Sequence, residues 1–237
     1  MAGFPIPDIH WKFNSNGTND GSGGSSYNMT LAGGAGYSSD RIEGPKSGDF
    51  GGGLTTGEYG YTSSSPIVTN QAFTVGFWAK PSAYGWAGCS VNFGGNTAST
   101  THLLKVGADN GGAFALNVPG NTSIRATGCT FIANKWHFYC AIYKGTWDTT
   151  TGSNTMRAFR DRTEASGYTQ EGTLNPFNLS STISIGRVYL GWVGSWYYNG
   201  AGFMDEVMVW DNVQLTEAQV MAVYDFTAPK FGIGSYA

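Results

Sequence analysis

Charge is scarce in this chain. Lysine and arginine number 13 and aspartate and glutamate 16, so charged side chains are 12% of 237 residues and the net charge is −3. That is about half the usual charged share. No basic excess exists to follow a phosphate backbone, which argues against a nucleic-acid partner. The Ala/Glu/Lys/Leu/Arg abundance of a coiled coil is missing. No apolar run reaches the roughly 18 residues of a membrane-spanning helix, so no membrane partner is expected. The opening Met-Ala-Gly-Phe-Pro-Ile-Pro lacks the basic start and apolar stretch of a secretion signal. Cysteine is scarce too. Cys89, Cys129 and Cys140 are an odd set without metal-ligand spacing. They read as free thiols of a reducing compartment. The alternative is one disulfide, with Cys129 and Cys140 facing each other across a hairpin centred near Asn134. His10, His102 and His137 are scattered and show no spacing for a metal triad.

Glycine and aromatic side chains are what the chain has in quantity. Its 36 glycines follow no period of three, which excludes collagen. With 41% hydrophobic and 15% aromatic residues it is not a disordered chain. The dominant pattern is short runs of period two, separated by Gly, Asn, Ser and Thr, which is the mark of strands and turns. Ile9, Trp11 and Phe13 alternate with polar neighbours, and Phe73, Val75 and Phe77 alternate until Pro81 stops the run. Leu103-Leu104, Phe114 to Val118, Met156 to Arg162, Ile183 to Ile185 and Met204 to Trp210 continue the series. Residues 136–143, Trp-His-Phe-Tyr-Cys-Ala-Ile-Tyr, are apolar on both faces, as a central strand buried on both sides would be. Only one segment reads as a helix: Thr216 caps Glu-Ala-Gln-Val-Met-Ala-Val-Tyr-Asp, with Ala218, Val220, Met221 and Tyr224 at near-helical spacing. No repeat of about 20–50 residues stands out, which weakens a propeller reading. Residues 1–237 read as one domain, with long loops at 14–26, 33–66 and 189–200.

The chain resembles laminin G-like domains of the concanavalin A-like lectin/glucanase superfamily. Trp-Lys-Phe-Asn-Ser-Asn-Gly-Thr-Asn-Asp-Gly-Ser-Gly-Gly, from Trp11, is similar to their opening strand and loop. Phe-Thr-Val-Gly-Phe-Trp-Ala-Lys-Pro is similar to their central strand, and Asn-Lys-Trp-His-Phe-Tyr-Cys-Ala-Ile-Tyr-Lys-Gly to their Trp-His strand. Ile-Ser-Ile-Gly-Arg, and then Phe-Met-Asp-Glu-Val-Met-Val-Trp-Asp-Asn-Val-Gln-Leu-Thr-Glu-Ala-Gln-Val, is similar to their close. The resemblance implies an all-β, concanavalin A-like jelly-roll sandwich of two antiparallel sheets with one short C-terminal helical turn. It also implies that the first and last strands lie side by side, and that His137 is structural. The sequence departs from the pattern at Phe159-Arg160-Asp161-Arg162, where Asp-Gly is common.

Two candidate sites follow. Asp205 shares strand parity with Val207 and Val209, which points it toward the interior, where a carboxylate needs hydrogen bonds, a cation or a proton. In similar domains the equivalent acid helps hold calcium or ties down the N-terminal loop. Asn14, Asn16, Asn19 and Asp20 supply side-chain oxygens in that loop, and calcium takes about six to eight oxygens. The competing reading is that these residues simply make turns. The second site is aromatic. Tyr189, Trp192, Trp196, Tyr197 and Tyr198 fall in one Gly-flanked stretch, and Tyr84 and Trp86 form a smaller group. A ring with an apolar face and a polar edge suits a sugar, a protein contact or core packing alike.

Catalysis is not expected. Asp205 and Glu206 are adjacent, which sends them to opposite faces of a strand, and no nucleophile elbow or phosphate-binding loop is present. The leading expectation is a non-catalytic surface or virion-associated structural protein, such as a decoration or fibre-associated subunit, that mediates adhesion or assembly. It would work at a virion surface or outside the cell. Its partners would be a surface glycan or protein subunits of a larger assembly, copies of itself included. A calcium-assisted carbohydrate-binding lectin is the alternative, and a glycoside hydrolase the second.

Overall fold

The computed structural model describes residues 3–39, 46–51, 57–67, 69, 71–82, 89–94, 103–108, 112–118, 122–146, 155–172, 179, 182–190, 195–198 and 202–231. Its strands in chain order begin with β1 (Ile9–Trp11), β2 (Thr30–Ala32), β3 (Gly36–Ser38), β4 (Ser47–Asp49), β5 (Tyr59–Thr62) and β6 (Phe73–Pro81). They continue with β7 (Ser90–Gly94), β8 (Leu103–Ala108), β9 (Ala113–Val118), β10 (Thr122–Thr130), β11 (His137–Tyr143) and β12 (Met156–Arg160). The last are β13 (Thr163–Glu164), β14 (Gly167–Glu171), β15 (Ile183–Ile185), β16 (Arg187–Leu190), β17 (Ser195–Tyr198) and β18 (Gly202–Asp211), and the helix α1 spans Glu217–Thr227.

The strands form two eight-stranded antiparallel sheets. The first runs β13-β12-β11-β6-β18-β4-β3, with β1 also on β18. The second runs β14-β10-β9-β8-β7-β15-β5-β2, and β16 and β17 make a separate hairpin. β1 pairs with β18, so the first and last strands do lie side by side. This is the jelly-roll sandwich that the resemblance implies.

Two apolar cores explain why β6 and β11 lack polar alternation. Phe73, Val75, Phe77 and Ala79 of β6, with Tyr139, Ala141 and Tyr143 of β11, fill the space between the sheets against Val91, Phe93, Phe114 and Ile185. Trp78, Phe138, Cys140 and Ile142 face the other way into a second core under α1. Successive side chains of a strand alternate faces, so a strand buried on both reads as a continuous apolar run. Gly76 keeps this layer thin, since a Cβ there would stand 3.1 Å from the Phe138 ring. Helix α1 starts as expected. The Thr216 hydroxyl accepts from Gln219 N–H and the Gln219 side chain accepts from Thr216 N–H, a closed capping box. Val220, Val223, Tyr224 and Thr227 are its buried face; Tyr224 stacks on Trp78 at 5.5 Å, and Trp78 Nε1 donates to Thr227 Oγ1 at 2.8 Å.

The cysteines are as expected, the stretches read as loops contain short strands, and the Asp161 turn departs from Asp-Gly as the sequence indicates. All three cysteines are free and buried. Cys129 lies on β10 in the second sheet and Cys140 on β11 in the first, so the chain crosses between sheets there and no hairpin disulfide forms. Burial pushes the Cys89 thiol up to about 12 and Cys129 to about 11. Within 33–66, β3, β4 and β5 are short strands toward the sheet edges, and the 189–200 stretch contains most of a hairpin rather than only a loop. The turn at Asp161 is made by a left-handed backbone, φ 55°. There Asp161 Oδ1 accepts Phe138 N–H at 3.0 Å, and Asp161 Oδ2 lies 2.7 Å from His137 Nδ1. His137 thus clasps the start of β11 to this turn. Among the described residues, no helix is long and apolar enough to cross a membrane.

Candidate functional site

The outer face of the second sheet carries an unbroken polar row. Pairing registers place Thr30, Tyr61, Ser184, Asn92, Lys105, Asn117, Ser123 and Glu171 side by side, one per strand from β2 to β14. Directly paired residues share a face, and neighbouring strands lie about 4.8 Å apart, so the row forms a continuous stripe. The alternate residues Val91, Phe93, Leu116 and Ile124 point inward to the core.

The row has a closed middle and open flanks. Ser90, Asn92, Lys105, Ser123 and Ser184 are buried. Asn92 Nδ2 donates to Ser90 Oγ and to the Ser184 carbonyl, each at 3.2 Å. The hairpin strand β16 leaves β15 through Gly186 and lies against β15 and β7. Gly186 has φ 78°, and a Cβ on it would stand 2.8 Å from the Glu58 carbonyl oxygen and 3.3 Å from Tyr59 Cα, so the hairpin root is pressed against the start of β5. On the β14 flank, Arg125 pairs with Glu171 at 2.5 Å near solvent. On the β2 flank, Tyr59 and Tyr61 share the outer face with ring centroids 5.8 Å apart and planes tilted 38°. Tyr61 is 36% exposed. Among the described residues, the buried Asn117 Nδ2 donor in this row makes no hydrogen bond.

The sequence-predicted aromatic residues stand only partly in view. Tyr84, Trp86 and Trp192 lie outside the described residues. Trp196, Tyr197 and Tyr198 are on β17, where Trp196 is paired with Tyr189, Tyr197 with Val188 and Tyr198 with Arg187; their side chains also lie outside the described set. Tyr59 and Tyr61 were not singled out from the sequence. The signal that marks them is the Tyr-Gly-Tyr alternation inside a stretch otherwise read as loop.

Asp205 is fully buried, but not on the side that strand parity indicates. β18 pairs Asp205 with Trp78 and then Met208 with Gly76, so Glu206 and Val207 oppose the single residue Phe77. This is a β-bulge, with Glu206 at φ 47°. It reverses parity: Met204 faces the inter-sheet core before it, and Val207 and Val209 after it. Asp205 therefore shares the face of Trp78, under the second core. Its Oδ1 accepts Glu206 N–H at 2.8 Å. The bulge also brings Glu206 to the same face, where Oε2 lies 2.6 Å from His10 Nε2; the two adjacent acids do not split between faces. Both are closed to solvent.

The N-terminal loop uses its oxygens on local donors. Asn19 is central: its Oδ1 accepts His10 and Gly21 N–H, and its Nδ2 donates to the Asp8 and Gly24 carbonyls. Asn16 Oδ1 accepts Thr18 N–H, Asp20 pairs with Lys12 at 3.0 Å, and Asn14 is exposed. Among the described residues, no three His, Cys, Asp or Glu side chains converge as metal ligands. Two partly open carboxylates, Asp8 and Asp211, are neighbours: Asp8 Oδ2 accepts Asp211 N–H at 2.8 Å, and Gln71 Nε2 donates to Asp211 Oδ1. Burial pushes the Asp211 carboxyl above its ordinary range, and the Asp8 charge adds to the push.

A search of curated proteins finds no match to the chain. Among solved structures, domain 4 of the extracellular GH43 arabinanase AbnA from Geobacillus stearothermophilus, in complex with arabinotriose, superposes with a TM-score of 0.63 at 15% identity, over 92% of this chain and 98% of that one. A botulinum neurotoxin type C structure, whose cell entry depends on two ganglioside molecules, gives 0.58 at 10% identity, over 93% of this chain and 51% of that one. The binding domain of botulinum neurotoxin DC in complex with SialylT gives 0.51 at 9% identity, over 88% and 48%. At such identities these likenesses speak for the fold alone. A sequence model of the concanavalin A-like lectin/glucanases superfamily matches residues 54–221, the span from just before β5 into α1. The chain belongs to that superfamily.

Proposed function

We propose that the chain is a non-catalytic carbohydrate-binding module whose site is the outer face of the second sheet, beside the β16–β17 hairpin. The observation that carries this reading is the polar row, with its aromatic pair at the open β2 flank. The middle of the stripe is closed, so the groups that can meet sugar hydroxyls are those of the open flanks, Thr30 and Tyr61 on one side and Glu171 on the other. Three structures of the same fold support it: an arabinanase domain in complex with arabinotriose, a botulinum neurotoxin type C whose cell entry depends on two ganglioside molecules, and a neurotoxin binding domain in complex with SialylT. A hydrolase needs two carboxylates reachable across the scissile bond. Asp205 and Glu206 are buried, and the Asp8 and Asp211 carboxylates already serve local donors.

Calcium is not required in this reading, because Asn16, Asn19 and Asp20 already serve backbone donors and Lys12. A glycan array probed with the purified chain, in calcium and again in chelator, is the test. Specific binding is expected under both conditions. Binding lost on chelation would restore calcium to the site. Trp192→Ala and Trp196→Ala are expected to weaken the signal. Silence on the array under both conditions would overturn the reading and leave a surface subunit of a larger assembly, such as a virion, in its place.

A further inference from the structure

Four asparagines sit in the loop between β1 and β2: Asn14, Asn16, Asn19 and Asn28. An asparagine can lose its amide when the backbone nitrogen of the next residue attacks the side-chain carbonyl carbon. That attack needs a free N–H on the next residue and a free side-chain amide to leave. A nitrogen already donating must first break that bond. Three of the four asparagines are held in this way. Asn14 is followed by Ser15, whose N–H donates to the Phe13 carbonyl at 2.7 Å. Asn19 is followed by Asp20, whose N–H donates to the His10 carbonyl at 3.0 Å, and Asn19 Nδ2 itself donates to the Asp8 and Gly24 carbonyls. Asn28 is followed by Met29, whose N–H donates to the Gly17 carbonyl at 2.7 Å.

Asn16 differs from all three. It is exposed, and the next residue is Gly17, so no side chain crowds the attacking nitrogen. Among the described residues, neither Gly17 N–H nor Asn16 Nδ2 has a hydrogen-bond partner. Asn16 Oδ1 accepts Thr18 N–H at 3.1 Å, which folds the side chain over the Gly17 peptide and polarises its carbonyl carbon. The glycine cannot be exchanged for a bulkier residue. A Cβ there would stand 2.1 Å from the Met29 carbonyl oxygen, so close packing of the loop against the start of β2 keeps the Asn-Gly pair in place. The chain's other Asn-Gly pairs, at 110–111 and 199–200, lie outside the described residues.

We infer that Asn16 is a site of spontaneous deamidation, the one among these four asparagines that the fold leaves open to it. Gly17 nitrogen bonds to Asn16 Cγ, the Cγ–Nδ2 bond breaks, and ammonia leaves with the proton from the Gly17 nitrogen. Solvent water then opens the succinimide ring at either of its carbonyls. Opening at Cγ gives aspartate, and opening at the main-chain carbonyl gives isoaspartate. Nothing is oxidised or reduced. Each event takes the net charge from −3 to −4. The two products differ in consequence. Aspartate keeps an oxygen for Thr18 N–H. Isoaspartate adds a methylene to the main chain just before Gly17, whose carbonyl holds Met29 N–H at the entry to β2, and so loosens that tie.

Ageing the purified full chain at mildly alkaline pH tests this, with a synthetic peptide of residues 12–20 aged beside it as the unfolded reference. Peptide mapping by mass spectrometry, with fragmentation to assign the site, reads the conversion. Residue 16 is expected to gain the mass of an amide-to-acid exchange while Asn14, Asn19 and Asn28 keep theirs. The conversion should quicken as pH rises, because the attacking nitrogen must lose its proton. Asn16→Gln should abolish conversion at this position on the same timescale, since its longer side chain closes a larger ring. Hydrogen exchange of the Met29 amide should be faster in the isoaspartate fraction than in the fresh chain. A residue 16 still intact when the reference peptide has fully converted would overturn the inference. So would conversion at Asn14, Asn19 or Asn28 ahead of Asn16. Unchanged Met29 protection in the isoaspartate fraction would overturn the effect on the entry to β2.

Discussion

The outer faces of the two sheets are built from opposite chemistry. On the first, Trp78, Phe138, Met208 and Trp210 lie under α1 with Val220, Val223 and Tyr224, and the face is sealed. On the second, the corresponding layer is hydroxyls, amides, a buried lysine and two tyrosines. Both sheets share the same inner core, so the inner core does not need the second face to be apolar. A sandwich that seals one side with a helix gains burial there, at roughly 25 cal/mol per Å² of apolar surface. It leaves the other side's side chains free to be chosen for recognition.

The sharpest way to break this contrast is to truncate one aromatic on each side. Trp78→Ala should cost about 3–5 kcal/mol in urea unfolding, since it empties a fully buried site and removes the bond to Thr227. Tyr61→Ala should cost less, about 1–2 kcal/mol, because the ring is partly exposed but packs on Tyr59. Equal losses would mean the second face is structural after all. Next in size is Glu206→Ala, which leaves His10 buried without its carboxylate; a loss of about 3 kcal/mol is expected, with glycan affinity unchanged. The double variant with His10→Ala should lose less than the sum of the two single changes. Thr216→Ala opens the capping box that begins α1 and should cost about 1 kcal/mol, again without touching binding.

Smallest is Asp211→Asn. The folded state holds this carboxyl above its ordinary value, by burial first and by Asp8 second. A raised carboxylate favours the neutral form, so stability is highest below the ordinary aspartate value and falls as pH rises through that value and the raised one. The amide removes this loss. A gain of about 0.5 kcal/mol or less is expected at neutral pH, and it should shrink toward zero below about pH 4. A gain that grew on acidification would reverse the assignment.

Much of the sealed side can be read from sequence. The two-faced run of β11 and the Thr216 cap announce themselves, because burial on both faces and capping chemistry leave residue-level marks; the pairing of β1 with β18 follows only from the family resemblance. The polar side is harder. β5 is only four residues long, and its inward position Gly60 carries no apolar side chain; a Cβ there would stand 2.4 Å from Met29 Sδ. The usual alternation is therefore missing, and Tyr59 and Tyr61 pass for loop residues. The bulge at Glu206 leaves no mark either, since a glutamate at positive φ looks like any glutamate in a chain. Parity counted along β18 is right on each side of that residue and wrong across it, which is why Asp205 was aimed at the wrong face.

The pairing of β1 with β18 also sets the order in which the chain can fold. His10 and Glu206 meet although 196 residues separate them. During synthesis, β1 has no partner until β18 leaves the ribosome. Until then Ile9 and Trp11 remain without the strand that buries them. Contacts of such span carry a large loop-closure cost and slow the search for the native state. The β1–β18 pair is thus a closure of very long span, and β18 contributes side chains to both cores.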